Sequence, residues 1–492
     1  MCFSSKLKIK QLRLWCVQVP MPGIPTIIAA AMAIPSKLNA EQLFDYLKVI
    51  LDGISTRDLK VVAYAADGSA VERSVQSLLD LSSKTRRTFH LKHPRAGKPA
   101  IAFVIPFYGD TKQPIAILQD SQHGLKTFRN AGYSGARMLI LGNFVVQYHQ
   151  FLRIWTEGGP IFERDVQRVD RQDDSAAIRL FSADVLEWLC NHHPELLGAI
   201  IYLFIFGELI DAYQNRRIPH IERVCMVLRT LFFLEIWEEF LEEAGYPRAK
   251  YFISKEACDI VKYLVHGLIK LIVIYRDHLG MQVYLLLPWL LSTEMCEHVF
   301  GICRQILQDF SLVNFYEMIP KLFIRLREFA LFGHYSDGKE RASGYTHNYQ
   351  DTRGIDLNAL STFPSDTEMQ AADKAYQEAE NLWFMLGFIP SDCSASGSGK
   401  LPSISSWFPT RNDKFIPPVG HSDAPKNGHD NIDSDYESDL DEELEPAGSV
   451  AVELQEAMDR IENLNLSFTV EDKVNTLSYA AIALTVNDSL EM

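Results

Sequence analysis

Asp120, His123, Lys126 and Arg129 recur at three-residue steps directly after the apolar run Ile115-Ala116-Ile117-Leu118, with Asn130 closing the segment. If the run is a strand and the segment a helix, the acid sits at a strand's carboxyl end while the imidazole and two cations share one helical face. Such a face suits phosphate, because Lys and Arg bring charge and donors and a helix N-terminus adds partial positive charge. The same spacing also fits a solvated helix face. Two further acidic positions stand in comparable settings. Asp67-Gly68 follows the apolar run Leu59–Ala65, where it also reads as an ordinary turn. Glu294, Glu297, His298 and Gly301 lie on the side of a helix opposite Met295, Val299, Ile302, Cys303 and Ile306. Carboxylates placed in this way offer hard oxygens to Mg²⁺ or Mn²⁺. A pair of such ions can activate water or a 3′-hydroxyl for attack on a phosphodiester.

The elements that must position these residues follow from periodicity. Leu12 to Val19 is expected as a strand, broken by Pro20-Met21-Pro22-Gly23, and Thr26 to Ile34 as a second, buried strand. Asn39 caps a helix with Gln42 at its third position, and Gly53 is expected to end it. Leu59 to Ala65 is the next strand, Ala70 to about Leu81 a helix, and Ala100–Pro106 and Pro114–Leu118 are further strand-like runs. From about Val145 to Leu290 the periodicity becomes that of long helices. A capping box at Ser365-Asp366-Thr367-Glu368 opens a helix expected to reach about Leu386. Beyond it, Ser391 to Ser449 has the composition of a disordered segment, and Val452 to Leu466 could form one amphipathic helix.

Composition bounds the remaining readings. The chain of 492 residues has 47% hydrophobic and 23% charged residues, as in a soluble globular protein. Its net charge of −15 is carried by the segment from His421 onward, where 18 acids face Lys426, Arg460 and Lys473. The other 45 cations and 45 acids balance, so charge neither favours nor excludes nucleic acid. Eight scattered cysteines with no C-x-x-C pair argue for reduced core residues rather than a zinc site. The apolar stretch Leu196 to Phe206 is too short for a bilayer, which needs roughly 20 residues, and is expected as a buried helix. No signal peptide, no membrane partner and no small-molecule substrate are expected.

Strand, strand, helix, strand, with an acid closing the last strand and another on a later helix, is the element order of an RNase H-like nuclease core without its first strand. Three segments carry a closer likeness: Val61-Val62-Ala63-Tyr64-Ala65-Ala66-Asp67-Gly68, then Gln119-Asp120-Ser121-Gln122-His123 with Lys126, Arg129 and Asn130, then Leu291-Ser292-Thr293-Glu294-Met295-Cys296-Glu297-His298-Val299-Phe300-Gly301 with Arg304. In order and spacing the chain resembles P-element-type DDE transposases over about residues 10 to 340, and more closely transposon-derived proteins of mushroom-forming fungi. The resemblance implies a catalytic and metal-binding role for Asp67 and Glu297, with Asp120 and Glu294 as the alternative register. It implies DNA contacts from His123, Lys126, Arg129, Asn130 and Arg304, Mg²⁺ or Mn²⁺ as cofactor, and a nuclear location, cytoplasmic if the nuclear signal is lost. DNA is the partner in intact relatives, and the resemblance leaves room for a homo-oligomer. The nucleotide site of some relatives is not expected, since no G-x-x-x-x-G-K-[ST] loop occurs.

The expected architecture is α/β plus all-α. An N-terminally truncated RNase H-like core spans 1–144 and a helical insertion 145–290. Helices over 291–390 return the glutamate, and a disordered acidic tail with a terminal helix spans 391–492. No Asp precedes Asp45, so the first-strand aspartate of the family is missing and the chain is expected to begin inside the catalytic domain. The expected function is therefore that of an inactive DDE transposase-like protein. The alternative is a non-catalytic, domesticated protein that binds protein or DNA.

Overall fold

The structure, a computed structural model, describes residues 11–19, 24–34, 38–57, 59–109, 112–167, 169–279, 285–332, 356–369, 372–389 and 481–491. Among them the chain is mixed α/β, mostly helical, with small sheets. The first elements are β1 (Gln11–Gln18), β2 (Ile27–Ile34), α1 (Ala40–Ser55), β3 (Lys60–Ala66) and α2 (Ala70–Ser82). They match the expected order, with two differences. α1 runs two residues past Gly53, because Thr56 closes it through Asp52 and Ile54 carbonyls. β2 is half-buried rather than buried, because it is an edge strand of its sheet. The capping box of α1 is formed: Gln42 N–H donates to Asn39 Oδ1 at 2.9 Å, and Asn39 N–H to Gln42 Oε1 at 3.2 Å.

Next come β4 (Thr85–Leu91), β5 (Ile101–Tyr108), β6 (Gln113–Pro114), β7 (Ala116–Gln119) and α3 (Ser121–Tyr133). β4 was not foreseen; its Thr-Arg-Arg-Thr start is polar, and pairing with β5 supplies the order that periodicity lacks. β8 (Leu139–Leu141) and β9 (Phe144–Val146) form a small hairpin. The helical block follows as α4 (Tyr148–Thr156), α5 (Glu163–Val166), α6 (Asp174–Leu180), α7 (Ala183–His192), α8 (Leu197–Gln214), α9 (His220–Glu243), α10 (Arg248–Tyr251) and α11 (Lys255–Asp277). α8 is buried as expected but runs on to Gln214, well past Phe206, so the expected shortness is corrected: among the described residues it is the one apolar helix long enough to cross a membrane, and it is wrapped almost wholly by protein. After it come α12 (Glu294–Ile306), α13 (Leu312–Phe332), α14 (Leu357–Ser361), α15 (Asp366–Met369) and α16 (Ala372–Met385). The capping box at Ser365 is present, with Ser365 N–H on Glu368 Oε2 and Glu368 N–H on Ser365 Oγ.

β10 (Ala481–Glu491) lies inside the five-stranded sheet of order β2-β1-β10-β3-β7, antiparallel to β1 and parallel to β3. The unstructured tail expected over 391–492 is thus corrected at its end: the alternating Ala-Ile-Ala-Leu-Thr-Val run is a strand, drawn into place by two open edges. The slot beside β1 that the sequence order left without a strand is filled from the far end of the chain. Residues 390–480, including the helix expected over Val452–Leu466, lie outside the described residues.

Each face of this sheet is covered. Trp15, Val17, Val61 and Tyr64 pack against Leu43, Leu47 and Leu51 of α1 and Val75 and Leu79 of α2. On the other face Leu12, Leu14 and Cys16 meet Cys296, Val299 and Cys303 of α12 and Phe315 and Leu322 of α13. Val62, Ala63, Ala65 and Leu118 join the core of the helical block instead. α11 approaches β7 so closely that a Cβ on Gly267 would press on Leu118 Cδ2, and any larger residue at that crossing must displace the buried leucine side chain. This packing fixes the ends of β3 and β7 against the helices that carry the site.

Candidate functional site

β3 and β7 run parallel, with Ala66 opposite Gln119, so Asp67 and Asp120 leave the same edge of the sheet on neighbouring strands. Asp120 N–H donates to Ala66 O at 2.9 Å and ties the two ends together. The Asp120 side chain caps α3: its Oδ1 accepts from the N–H groups of Gln122 at 2.8 Å and His123 at 3.4 Å. Its Oδ2 accepts from Thr293 N–H at 2.8 Å and from Thr293 Oγ1 at 2.6 Å. Thr293 stands at the head of α12, 173 positions away in sequence. Its Oγ1 also lies 3.4 Å from Glu297 Oε1, so one threonine links the acid that ends β7 to the acid in the first turn of α12.

The acids here are crowded and poorly hydrated. Burial, reinforced by Asp120 and Asp174 and opposed by Lys126 and the Thr293 hydroxyl, pushes the Glu297 carboxyl up to about 8. Burial raises Glu294 well above the ordinary range, against the pull of Arg216 and with the push of Glu297 and Asp120. Asp174 is pushed up to about 6 by burial, although Lys126 Nζ lies 2.9 Å from its Oδ1. The helix N-terminus favours carboxylates at Glu294 and Glu297, but burial wins. In the absence of a cation, Glu297 holds a proton at neutral pH.

Asp67 is half-buried, and its Oδ1 accepts from Ser69 N–H at 2.9 Å in the turn that Gly68 makes at φ +85°. Its charge is felt at His123. The imidazole is pushed down by burial and by Lys126, while Asp120, Asp67 and Glu256 oppose the shift. His123 therefore sits in the combined field of Asp67 and Asp120. The acids that raise Glu297 are Asp120 and Asp174, so the closest pairing joins Asp120, not Asp67, to Glu297. Beside Asp67, the Gln119 amide is buried and neither its oxygen nor its nitrogen has a hydrogen-bond partner. Its Oε1 lies 3.1 Å from where a Cβ on Gly68 would be.

The basic row expected to meet phosphate does something else. Arg129 is buried and donates to Asp173 O at 2.7 Å and Asp170 O at 2.6 Å, while Asn130 Nδ2 donates to Arg171 O at 3.1 Å. Lys126 is paired with Asp174 of α6. These three residues clamp the 170–174 loop onto α3, and Arg129 and Asn130 are committed to backbone carbonyls rather than open to a ligand. His123 is partly exposed, and Arg304 is exposed in the last turn of α12. Thr293, Asp174 and Gln119 were missed by sequence reasoning. In the sequence Ser292 and Thr293 stand only within the family-like segment with no role of their own, and nothing local announces that the Thr293 donors serve Asp120.

Hard oxygen donors of this kind suit Mg²⁺ or Mn²⁺. Yet among the described residues no three His, Cys, Asp or Glu side chains stand close enough together to hold a metal ion. Asp120 and Glu297 would hold such an ion only in part. No family model matches the chain, nor does any curated protein or solved structure.

Proposed function

We propose that the chain is a DDE transposase-like protein derived from a transposable element, with its catalytic centre where β3, β7 and α12 meet. The observation that carries this reading is the link between Asp120 and Glu297: two donors of Thr293 hold the strand-end carboxylate one turn before the helical one, across 173 residues. A hairpin followed by parallel strands, in the order β2-β1-β10-β3-β7, supports an RNase H-like core. The helical block between α3 and α12 corresponds to the insertion that precedes the glutamate in the family. In this reading Asp120 and Glu297, with Asp67 at the neighbouring strand end, would be the carboxylates that hold a divalent cation against the scissile phosphodiester, and His123 shares their field. A divalent cation would supply the charge that activates the attacking oxygen.

A second, non-catalytic reading is favoured by one observation: Lys126, Arg129 and Asn130, which the family likeness assigns to DNA, hold the chain's own loop. Mn²⁺-supported nicking of supercoiled DNA separates the two. Nicking by the parent chain that disappears in Glu297→Gln supports the catalytic reading. DNA retained in a salt-dependent way without nicking supports the binding protein, and neither nicking nor retention overturns both.

A further inference from the structure

We propose that β4, the loop that follows it and the adjoining side of α11 form a second surface, apart from the proposed centre, that holds the sugar–phosphate backbone of duplex nucleic acid. It rests on the reading given above only for the choice of nucleic acid as the polyanion. Between Asp80 and Asp110 stand six cations, Lys84, Arg86, Arg87, Lys92, Arg95 and Lys98, and no acid. The chain before His421 is neutral as a whole, so this stretch is a local excess of positive charge. β4 is the edge strand of the three-stranded sheet, and Arg86, Arg87, Thr88, His90, Lys92 and Lys98 are exposed along it and its loop. Two of the six cations are paired, Arg86 with Asp80 at 3.5 Å and Arg95 with Glu239 at 2.5 Å. Lys84, Arg87 and Lys98 have no carboxylate partner among the described residues.

α11 packs against β5 and adds cations on the same side. The His266 ring lies 4.8 Å from that of Phe103, with Lys262 and Lys270 one helical turn to either side of it. These groups crowd one another. Burial pushes His266 down to about 4, helped by Lys270 and Lys262. Burial also lowers Lys270, with Arg86 adding to the shift and Asp80 opposing it. His278 is lowered by burial and by Arg87, against Asp277. A chain of phosphates laid here would relieve that repulsion, and release of its counterions would drive binding. The spread of the cations over strand, loop and helix fits a broad phosphate backbone, whereas an acidic peptide adding a strand would meet only the β4 edge. Lys126, Arg129 and Asn130, by contrast, already hold residues 170–174. α11 also ties this surface to the centre. Glu256 in its first turn pairs with Arg73 at 3.0 Å, and Arg73 bonds the Gly68 carbonyl beside Asp67. At about 1.5 Å per residue Lys270 lies about 20 Å further along, roughly six base pairs of duplex at about 3.4 Å each.

The test uses the full chain and a labelled duplex of about 20 base pairs, followed by fluorescence anisotropy over a salt series without divalent cation. The parent should bind unrelated sequences alike. The triple variant Lys84→Ala, Lys98→Ala and Lys262→Ala should bind about tenfold more weakly at low salt, with a salt slope flatter by about 2–3, close to one unit per lost phosphate contact. Lys250→Ala on α10, an exposed lysine elsewhere, should change neither. The three replaced lysines are exposed, so the unfolding midpoint should not move. Unchanged affinity and slope in the triple variant overturns the inference and leaves the proposed centre standing, and a parent that does not bind the duplex overturns it as well. Polyglutamate binding that is lost in the triple variant while duplex binding persists would make this a surface for acidic protein and overturns it too. Duplex binding weakened by the triple variant, in a chain that nicks no DNA, removes the catalytic reading and keeps the surface.

Discussion

Replacing Glu297 with Gln should make the protein, in the absence of a cation, more stable at neutral pH, an uncommon result for a residue of the proposed catalytic centre. The folded carboxyl is raised to about 8 from an ordinary 4.5. A raised carboxyl costs stability wherever the unfolded chain ionises and the folded one cannot. The penalty is absent below about pH 4.5, grows between 4.5 and 8, and is constant above. At pH 7 the gap of 2.5 units corresponds to about 3.4 kcal/mol at about 1.36 kcal/mol per unit. Partial exposure of Glu297 screens this, so the expected gain is about 2 kcal/mol. Urea unfolding of parent and Glu297→Gln in chelator at pH 4.5, 6 and 7.5 measures it. The midpoints should coincide at the lowest pH and separate steadily upward. A variant that is less stable at pH 7.5, or a difference independent of pH, would refute the claim that Glu297 is a desolvated acid among acids. Added Mn²⁺ should reverse the order, because a cation favours the ionised parent.

Arg129→Ala should destabilise by about 3 kcal/mol, since it strands the carbonyls of Asp170 and Asp173, and should leave the salt dependence of any DNA binding unchanged; denaturant titration and filter binding check the two halves. Gly267→Ala should cost about 1–3 kcal/mol by forcing α11 off Leu118, read as a lowered unfolding midpoint. Burial lowers His220 to about 4, so the unfolded chain takes up its proton first and stability is lost as pH falls from 6.5 toward 4. Between pH 7 and 5 that loss is about 2 kcal/mol, and His220→Gln, which keeps a donor for Leu360 O, should remove it from the acid limb of the stability curve.

The parts of this fold legible in the sequence were those with strong local rules. Asn39 with Gln42, Ser365 with Glu368, and Asp120 before an amphipathic segment all mark helix starts by capping chemistry that needs no tertiary information. α8 was legible as a buried helix from its uniform apolarity, though it runs on to Gln214, past the Phe206 expected. What escaped were the long-range partners. Arg129 is basic and regularly spaced with His123 and Lys126, which reads as a ligand-facing row, but its donors meet the carbonyls of a loop more than forty residues on. The place of β10 was hidden for the same reason, because a strand's neighbours depend on open edges elsewhere and residues 390–480 separate it from α16. Asp67 and Glu297 were singled out by likeness, whereas contact through Thr293 joins Glu297 to Asp120, the acid of the alternative register.

The most direct test of the centre is anomalous diffraction from crystals of the full chain soaked in Mn²⁺. A peak is expected at the edge where β3 and β7 end and α12 begins, within coordination distance of Asp67 or Asp120 and of Glu297. Crystals that take up no Mn²⁺ there, or that hold it only at surface carboxylates elsewhere, would contradict the assignment of this edge as a metal-dependent phosphoryl-transfer centre.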